Sequence, residues 1–388
     1  MRLVLLTHPD SLVSESMPRF AGMISRGMTE RGHEVKLWTS RRKFSRLPIR
    51  SDFILKWFGY IDQYLICPGE LDHLLKQQPA ETVFVVTDQA LGMWVPRLAH
   101  RPHAIHCHDF LALKSARAEF PENPTRWTGQ QYQQFIQKGF SHGQVFISVS
   151  ENTRQDLHRF LPRQPQISEV VYNGLNHNFR PMELGERNSL LNQTGIEISE
   201  DGFVVHIGGN QWYKNRMGVI EIYRAFAAFH PRPPALWMIG SAPTVQLLNL
   251  AATVPSPGRV HFVTGLTNEQ VNAAYSHARA LLFPSLGEGF GWPIVEAMAS
   301  ACPVITTDLP PMTEVAGGNA RLIPKMPING MERGQWARTS AATLDEVVHL
   351  DENARTNILR QGKLHSTRFN TEAALAAYEA IYSRALKS

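Results

Sequence analysis

Apolar residues along this chain fall into short runs, and between the runs they recur at helical spacing. Leu3–Thr7 is a compact apolar run, the segment from about Pro18 to Gly32 reads as a helix, and Glu34–Thr39 reads as the next strand. Thr82–Thr87, His103–His106 and Gln144–Val149 continue the series, separated by helical stretches or loops. Short β-rich runs alternating with helices predict a parallel sheet covered on both faces.

The pattern pauses between Asn173 and Leu191. Asn173-Gly174 is a turn signal, Pro181 follows in a polar stretch, and residues 181–200 read as a linker. The alternation then resumes with Phe203–Ile207, a helix from about Met217 to Phe229, Ala235–Ile239, Val260–Val263, Ala280–Phe283 and Val304–Thr306. At the end, Thr371–Leu386 carries Leu375, Tyr378, Ile381 and Tyr382 at helical spacing, which predicts a long terminal helix. The expected fold is therefore α/β. Residues 1–180 form one Rossmann-like domain, 181–369 a second, and 370–388 a helix that crosses back to the first. A length of 388 residues suits two cores better than one. Two such domains suggest a central cleft, since open α/β sheets bind ligands at the carboxyl ends of their strands.

Composition narrows the class. With 43% hydrophobic and 19% charged residues the chain reads as globular, and charged or polar residues interrupt every long apolar run. Arg2–His8 is too short for a signal peptide. Three cysteines, Cys67, Cys107 and Cys302, contain no C-x-x-C pair, which argues against a disulfide framework or structural zinc and for a cytoplasmic protein. The net charge of +5 is concentrated around Arg41, Arg42, Lys43, Arg46, Arg50 and Lys56, interleaved with Phe44, Phe53, Trp57 and Phe58. That segment reads either as a solvated loop and helix or as a patch for anionic lipid, at the inner membrane face, or for an anionic acceptor. No nucleic-acid recognition module accompanies the charge, so no nucleic-acid partner is expected.

The informative stretch runs from Leu281 to Pro324. A strand leads into Gly287-Glu288-Gly289-Phe290-Gly291, and Pro293 stands where a helix begins. Free N–H groups and the helix dipole favour phosphate there, and glycines admit close approach. Glu288 and Glu296, eight residues apart, offer carboxylates to sugar or ribose hydroxyls, although two glutamates at a helix start also serve simply as caps.

The spacing does not stand alone. Pro284, Ser285, Glu288 to Gly291, Pro293, Glu296 to Ala299, Pro303 and Val304 together resemble the donor-site signature of family-4 retaining glycosyltransferases of the GT-B fold. Ala301 departs from it, standing where the family usually has glycine. Ile207 to Lys214 is similar to the segment that opens the family's second domain, although the family's arginine is missing at Gly209-Asn210. His108-Asp109 resembles the histidine-bearing strand end that faces the donor sugar.

The resemblance implies roles. His108, Lys214 and Glu288 would be catalytic: Lys214 on the donor diphosphate, Glu288 on the sugar hydroxyls, His108 orienting the sugar. Gly209, Asn210, Arg216, Leu266, Gly289, Phe290, Gly291 and Glu296 would bind the donor, with Leu266 beside the base, Glu296 on the ribose and Arg216 standing in for the absent arginine. Lys214, Glu288 and Glu296 would face a solvent-filled cleft. His106 and His108 share a strand face, but the family is usually metal-independent, so no metal and no cofactor is expected beyond the UDP- or GDP-linked sugar itself. The implied reaction moves a hexose, with retention, to a hydroxyl of a glycan, lipid-linked or small-molecule acceptor in bacterial polysaccharide or glycolipid synthesis. Two other readings share the architecture: a non-hydrolysing sugar-nucleotide 2-epimerase, and a nucleotide-sugar binding protein without catalysis. A dehydrogenase is disfavoured, because no G-x-G-x-x-G follows a strand.

Overall fold

The computed structural model describes residues 1–8, 16–40, 66–175 and 177–387. The basic aromatic segment Arg41–Trp57 and most of the opening loop 9–15 lie outside the described residues.

The chain divides into two compact units, and the first gathers residues 1–119, 125–176 and 371–388. Its strands are β1 (Arg2–Leu6), β2 (Glu34–Trp38), β3 (Thr82–Val86), β4 (His103–Cys107), β5 (Val145–Ser148) and β6 (Ile167–Val170). They pair in parallel in the order β2-β1-β3-β4-β5-β6. All residues of β3 and β4 are buried, as expected of strands covered on both faces. Phe84, Ile105, Trp94 and Phe140 pack on one side, and Leu5, Val83, Ile24 and Tyr378 on the other. β6 went unread in the sequence because its four residues are only half-buried and polar at two positions.

The terminal helix, Thr371–Ala385, packs on this first unit and buries Leu375, Tyr378, Ile381 and Tyr382. The Tyr382 hydroxyl shares a 2.6 Å hydrogen bond with Nε2 of His106, inside the core. Gly174 is where the chain meets the start of that helix. A Cβ there would collide with Thr371, so this glycine serves close approach rather than the turn expected of Asn-Gly.

The second unit comprises residues 120–124 and 177–370. Its strands are β7 (Val204–Gly208), β8 (Leu236–Gly240), β9 (Val260–Val263), β10 (Ala280–Phe283), β11 (Val304–Thr307) and β12 (Arg321–Ile323), in the order β12-β11-β10-β7-β8-β9. The expected linker instead holds a helix, Leu184–Asn192, packed against the helix Asn268–His277. Only Leu191 of it is buried, so it has no apolar stripe for periodicity to reveal. Among the described residues no helix is long and apolar enough to cross a membrane.

Candidate functional site

In the second sheet the strand order reverses between β7 and β10, which places the binding crevice at their carboxyl ends. These two strands pair only through Val204 with Ala280 and Val205 with Leu281. Beyond that point His206 reaches across, its Nδ1–H donating to the carbonyl of Leu282 at 3.0 Å. Burial pushes the His206 pKa down to about 3, with the charges of Arg216 and Lys214 acting in the same direction, so the ring stays neutral.

The loops that follow the two strands are stitched together. Asn215 adopts a left-handed conformation (φ 51°), which asparagine tolerates better than most residues. Its side-chain carbonyl accepts from the Gly218 N–H and caps the helix Arg216–Phe229, while its amide donates to the Pro284 carbonyl at 2.9 Å. The Leu286 N–H donates to the Tyr213 carbonyl at 2.8 Å.

This frame brings together two residues 74 positions apart: Lys214 Nζ donates to both carboxylate oxygens of Glu288, at 2.8 and 3.0 Å. Ser285 Oγ donates to the same carboxylate at 2.8 Å, and Thr307 Oγ1 holds the Ser285 carbonyl. The side chains of Lys214 and Glu288 are only 16% and 7% exposed, so both are largely withdrawn from solvent. At this low exposure, removing either partner would leave the other charge largely uncompensated.

Arg216 is more unusual. It is the first residue of its helix, where the dipole disfavours a cation, and it is 4% exposed. Its Nη1 donates to the side chain of Asn210 and, at 2.9 Å, to the Ser241 carbonyl. Its Nε and Nη2 are buried without a hydrogen-bond partner among the described residues. A buried guanidinium with two unmet donors is costly unless an anion completes it.

The second helix of the site, Trp292–Ala299, starts after Gly291, whose φ of 98° requires glycine, and Pro293 occupies its first turn. Glu296 accepts from the Tyr275 hydroxyl at 3.1 Å. The Phe290 ring packs against Trp292 and Phe369, so what this residue offers a ligand is backbone. Gly209 follows β7 directly, and Leu266, half-buried, follows the edge strand β9. The helix ends with Cys302 N–H donating to Ala297 and Ala301 N–H to Met298, and Ala301 sits at φ 56°. That is the left-handed position at which such an ending favours glycine.

A model of the family described as Glycosyltransferase Family 4 matches residues 17–179, and one described as Glycosyl transferases group 1 matches 202–331. The chain belongs to glycosyltransferase family 4. The O-antigen chain mannosyltransferase RfbU of Salmonella typhimurium is 44% identical over 76 residues, 20% of this chain and 22% of that one. The O-antigen chain mannosyltransferase B of Escherichia coli is 21% identical over 184 residues, 47% of this chain and 48% of its own. The matched stretches thus span less than half of either relative. The fold is GT-B: HepE of Anabaena, solved with UDP and glucose, superposes with a TM-score of 0.70 at 15% identity over 99% of both chains.

In this family-4 chain Gly209, Asn210, Lys214 and Arg216 lie in the loop and helix start after β7, Glu288 to Gly291 in the loop after β10, and Glu296 within the helix that follows; side chains join Asn210 to Arg216 and Lys214 to Glu288. His108 belongs to the first unit, at the end of β4, where Nε2–H donates to the Thr87 carbonyl at 2.9 Å and burial lowers its pKa. One cluster among the described residues is close enough to hold a metal: His230, Asp345 and His349. It lies where the helix Arg216–Phe229 ends, away from the strand carboxyl ends. His206, Asn215, Ser285 and Tyr275 were missed as site residues. Ser285 alone had a signal, in the motif; the other three act through contacts between distant segments.

Proposed function

We propose that this protein transfers a hexosyl group from a UDP- or GDP-sugar to an acceptor hydroxyl, with retention at the anomeric carbon, during synthesis of a bacterial surface polysaccharide or glycolipid. The names of the two curated relatives support mannose as the first sugar to test. The observation that carries the reading is the pair of cations, Lys214 and Arg216, held at the β7–β10 switch point beside Glu288.

Breaking the bond between the anomeric carbon and the diphosphate leaves an electron pair and growing negative charge on the phosphate oxygen. Glu288 occupies two directions of the Lys214 ammonium and leaves a third N–H for a phosphate oxygen. The unmet donors of Arg216 supply the charge that the family arginine would have given, and the start of the helix Trp292–Ala299, just after Gly289 to Gly291, favours an anion. Glu288 holds sugar hydroxyls with its remaining lone pairs, and Glu296 takes the ribose. The acceptor oxygen attacks from the face the diphosphate leaves, and the departing phosphate oxygen takes the acceptor proton, so no separate base is required. These cations replace a divalent metal.

Incubation with UDP- and GDP-linked hexoses and an alkyl hexoside, followed by proton NMR of the product, tests this. Expected is nucleotide release with the donor's anomeric configuration kept, unaffected by EDTA. An inverted product, or release that stops with EDTA and returns with manganese, contradicts the mechanism.

A further inference from the structure

The first sheet has its own switch point, between β1 and β3. His8 follows β1 there and Asp88 follows β3, while His108 follows the neighbouring β4. His8 Nε2–H donates to Asp88 Oδ2 at 2.9 Å, and Asp88 Oδ1 accepts from the Ala90 N–H at 2.8 Å. Burial pushes the Asp88 carboxyl up, but the hydrogen bond and charge of His8, with His108 beside it, outweigh burial and bring it below its ordinary value. The bond to Asp88 commits Nε2 of His8 and leaves Nδ1 as the ring's remaining hydrogen-bonding atom. That Nδ1 is buried and has no partner among the described residues. His108 donates from Nε2 to the Thr87 carbonyl, and burial lowers its pKa, so its Nδ1 carries a lone pair.

The crevice end of the first sheet therefore presents two imidazole nitrogens beside a carboxylate. Such a set fits donors and repels anions, the reverse of the second unit, where cations gather. We propose that His8, oriented by Asp88, is the acceptor-binding centre of this protein, its Nδ1 sharing a hydrogen bond with a hydroxyl of a neutral sugar. This rests on the transferase reading above. Neither residue belongs to the donor signature, and the opening loop carries no motif that would have singled out His8.

The test uses the full chain, a nucleotide-sugar donor and the alkyl hexoside to which the wild type transfers fastest, beginning with octyl α-mannoside. H8A and D88N should each lower acceptor kcat/KM by on the order of 10²-fold, chiefly through KM, because a site built around a hydroxyl loses its partner. Calorimetric affinity for the nucleoside diphosphate should stay within about twofold of wild type, the sign of an acceptor-side effect. H8Q offers an oxygen that accepts the same hydrogen and should recover roughly tenfold over H8A. D88N keeps the shape of the site if H8A folds poorly. The proposal is overturned if H8A and D88N keep acceptor kcat/KM within threefold of wild type, if H8Q is no better than H8A, or if nucleotide affinity falls in parallel. It is also overturned if a wild type that binds nucleotide transfers only to phosphorylated acceptors or to no hexoside. A wild type that binds no nucleotide defeats the donor reading instead.

Discussion

Asn215 donates from its side-chain amide to the carbonyl of Pro284 across the mouth of the crevice, so one left-handed residue joins the loop after β7 to the loop after β10. The same side chain caps the helix that begins with Arg216, and Lys214 immediately precedes it. The position of the ammonium is thus set by a residue with no chemical role of its own.

N215A removes the cap, the bridge and a residue tolerant of positive φ, and should cost about 2–3 kcal/mol. N215G keeps the backbone freedom and should cost less. Chemical denaturation of the two variants checks this, and equal losses would show that the left-handed conformation is not a significant part of the cost.

Ala301 occupies the left-handed position that ends the helix Trp292–Ala299. A301G should relieve roughly 1–2 kcal/mol of strain and give back about 0.4–1 in unfolded-state entropy, for a net gain of about 0–1.6 kcal/mol. A lower melting temperature for A301G would contradict this.

His206 has a folded pKa of about 3, against an ordinary value of 6.5. Between those values the unfolded chain binds a proton that the folded one refuses. The stability is fully present above about pH 6.5 and is lost as pH falls toward 3, at about 1.4 kcal/mol per pH unit. H206Q can still donate to Leu282 and does not titrate, so its melting temperature should fall less steeply with acid. Identical slopes would place the protonation elsewhere.

Y382F deletes a hydroxyl bonded to His106 in the core and should cost about 1–3 kcal/mol, with faster hydrogen exchange along 371–385. Unchanged exchange there would show that the helix is held by apolar packing alone.

Most of the fold was legible because parallel strands buried on both faces read as apolar runs: Val83–Val86 and Leu281–Phe283 could hardly be anything else. Among the elements that escaped, Ile167–Val170 and Leu184–Asn192 bury little, whereas the helix Gly330–Val348 buries Trp336, Leu344 and Val347 and had no motif beside it to mark it. At the site, Glu288 was visible because a loop and the helix after it form one continuous motif. His206 was not, since its partner Leu282 lies 76 residues away and nothing local distinguishes it from an ordinary core histidine. Burial of the Lys214–Glu288 pair was equally hidden, because Ser285, Thr307 and Asn215 meet only after both loops are in place.

The central claim is that Lys214 and Glu288 act on the donor, and the most direct measurement is steady-state transfer kinetics of K214A, E288Q and E296Q at a temperature where each is folded. Because the pair is buried, K214A and E288Q should melt earlier than wild type, and K214M/E288Q should recover stability without recovering activity. The account predicts that K214A lowers kcat by on the order of 10²–10³, since its charge acts where negative charge develops. E288Q should lower kcat more than it changes nucleotide affinity, whereas E296Q should mainly raise donor KM. Near-normal turnover in both K214A and E288Q would contradict the account and place the donor site elsewhere.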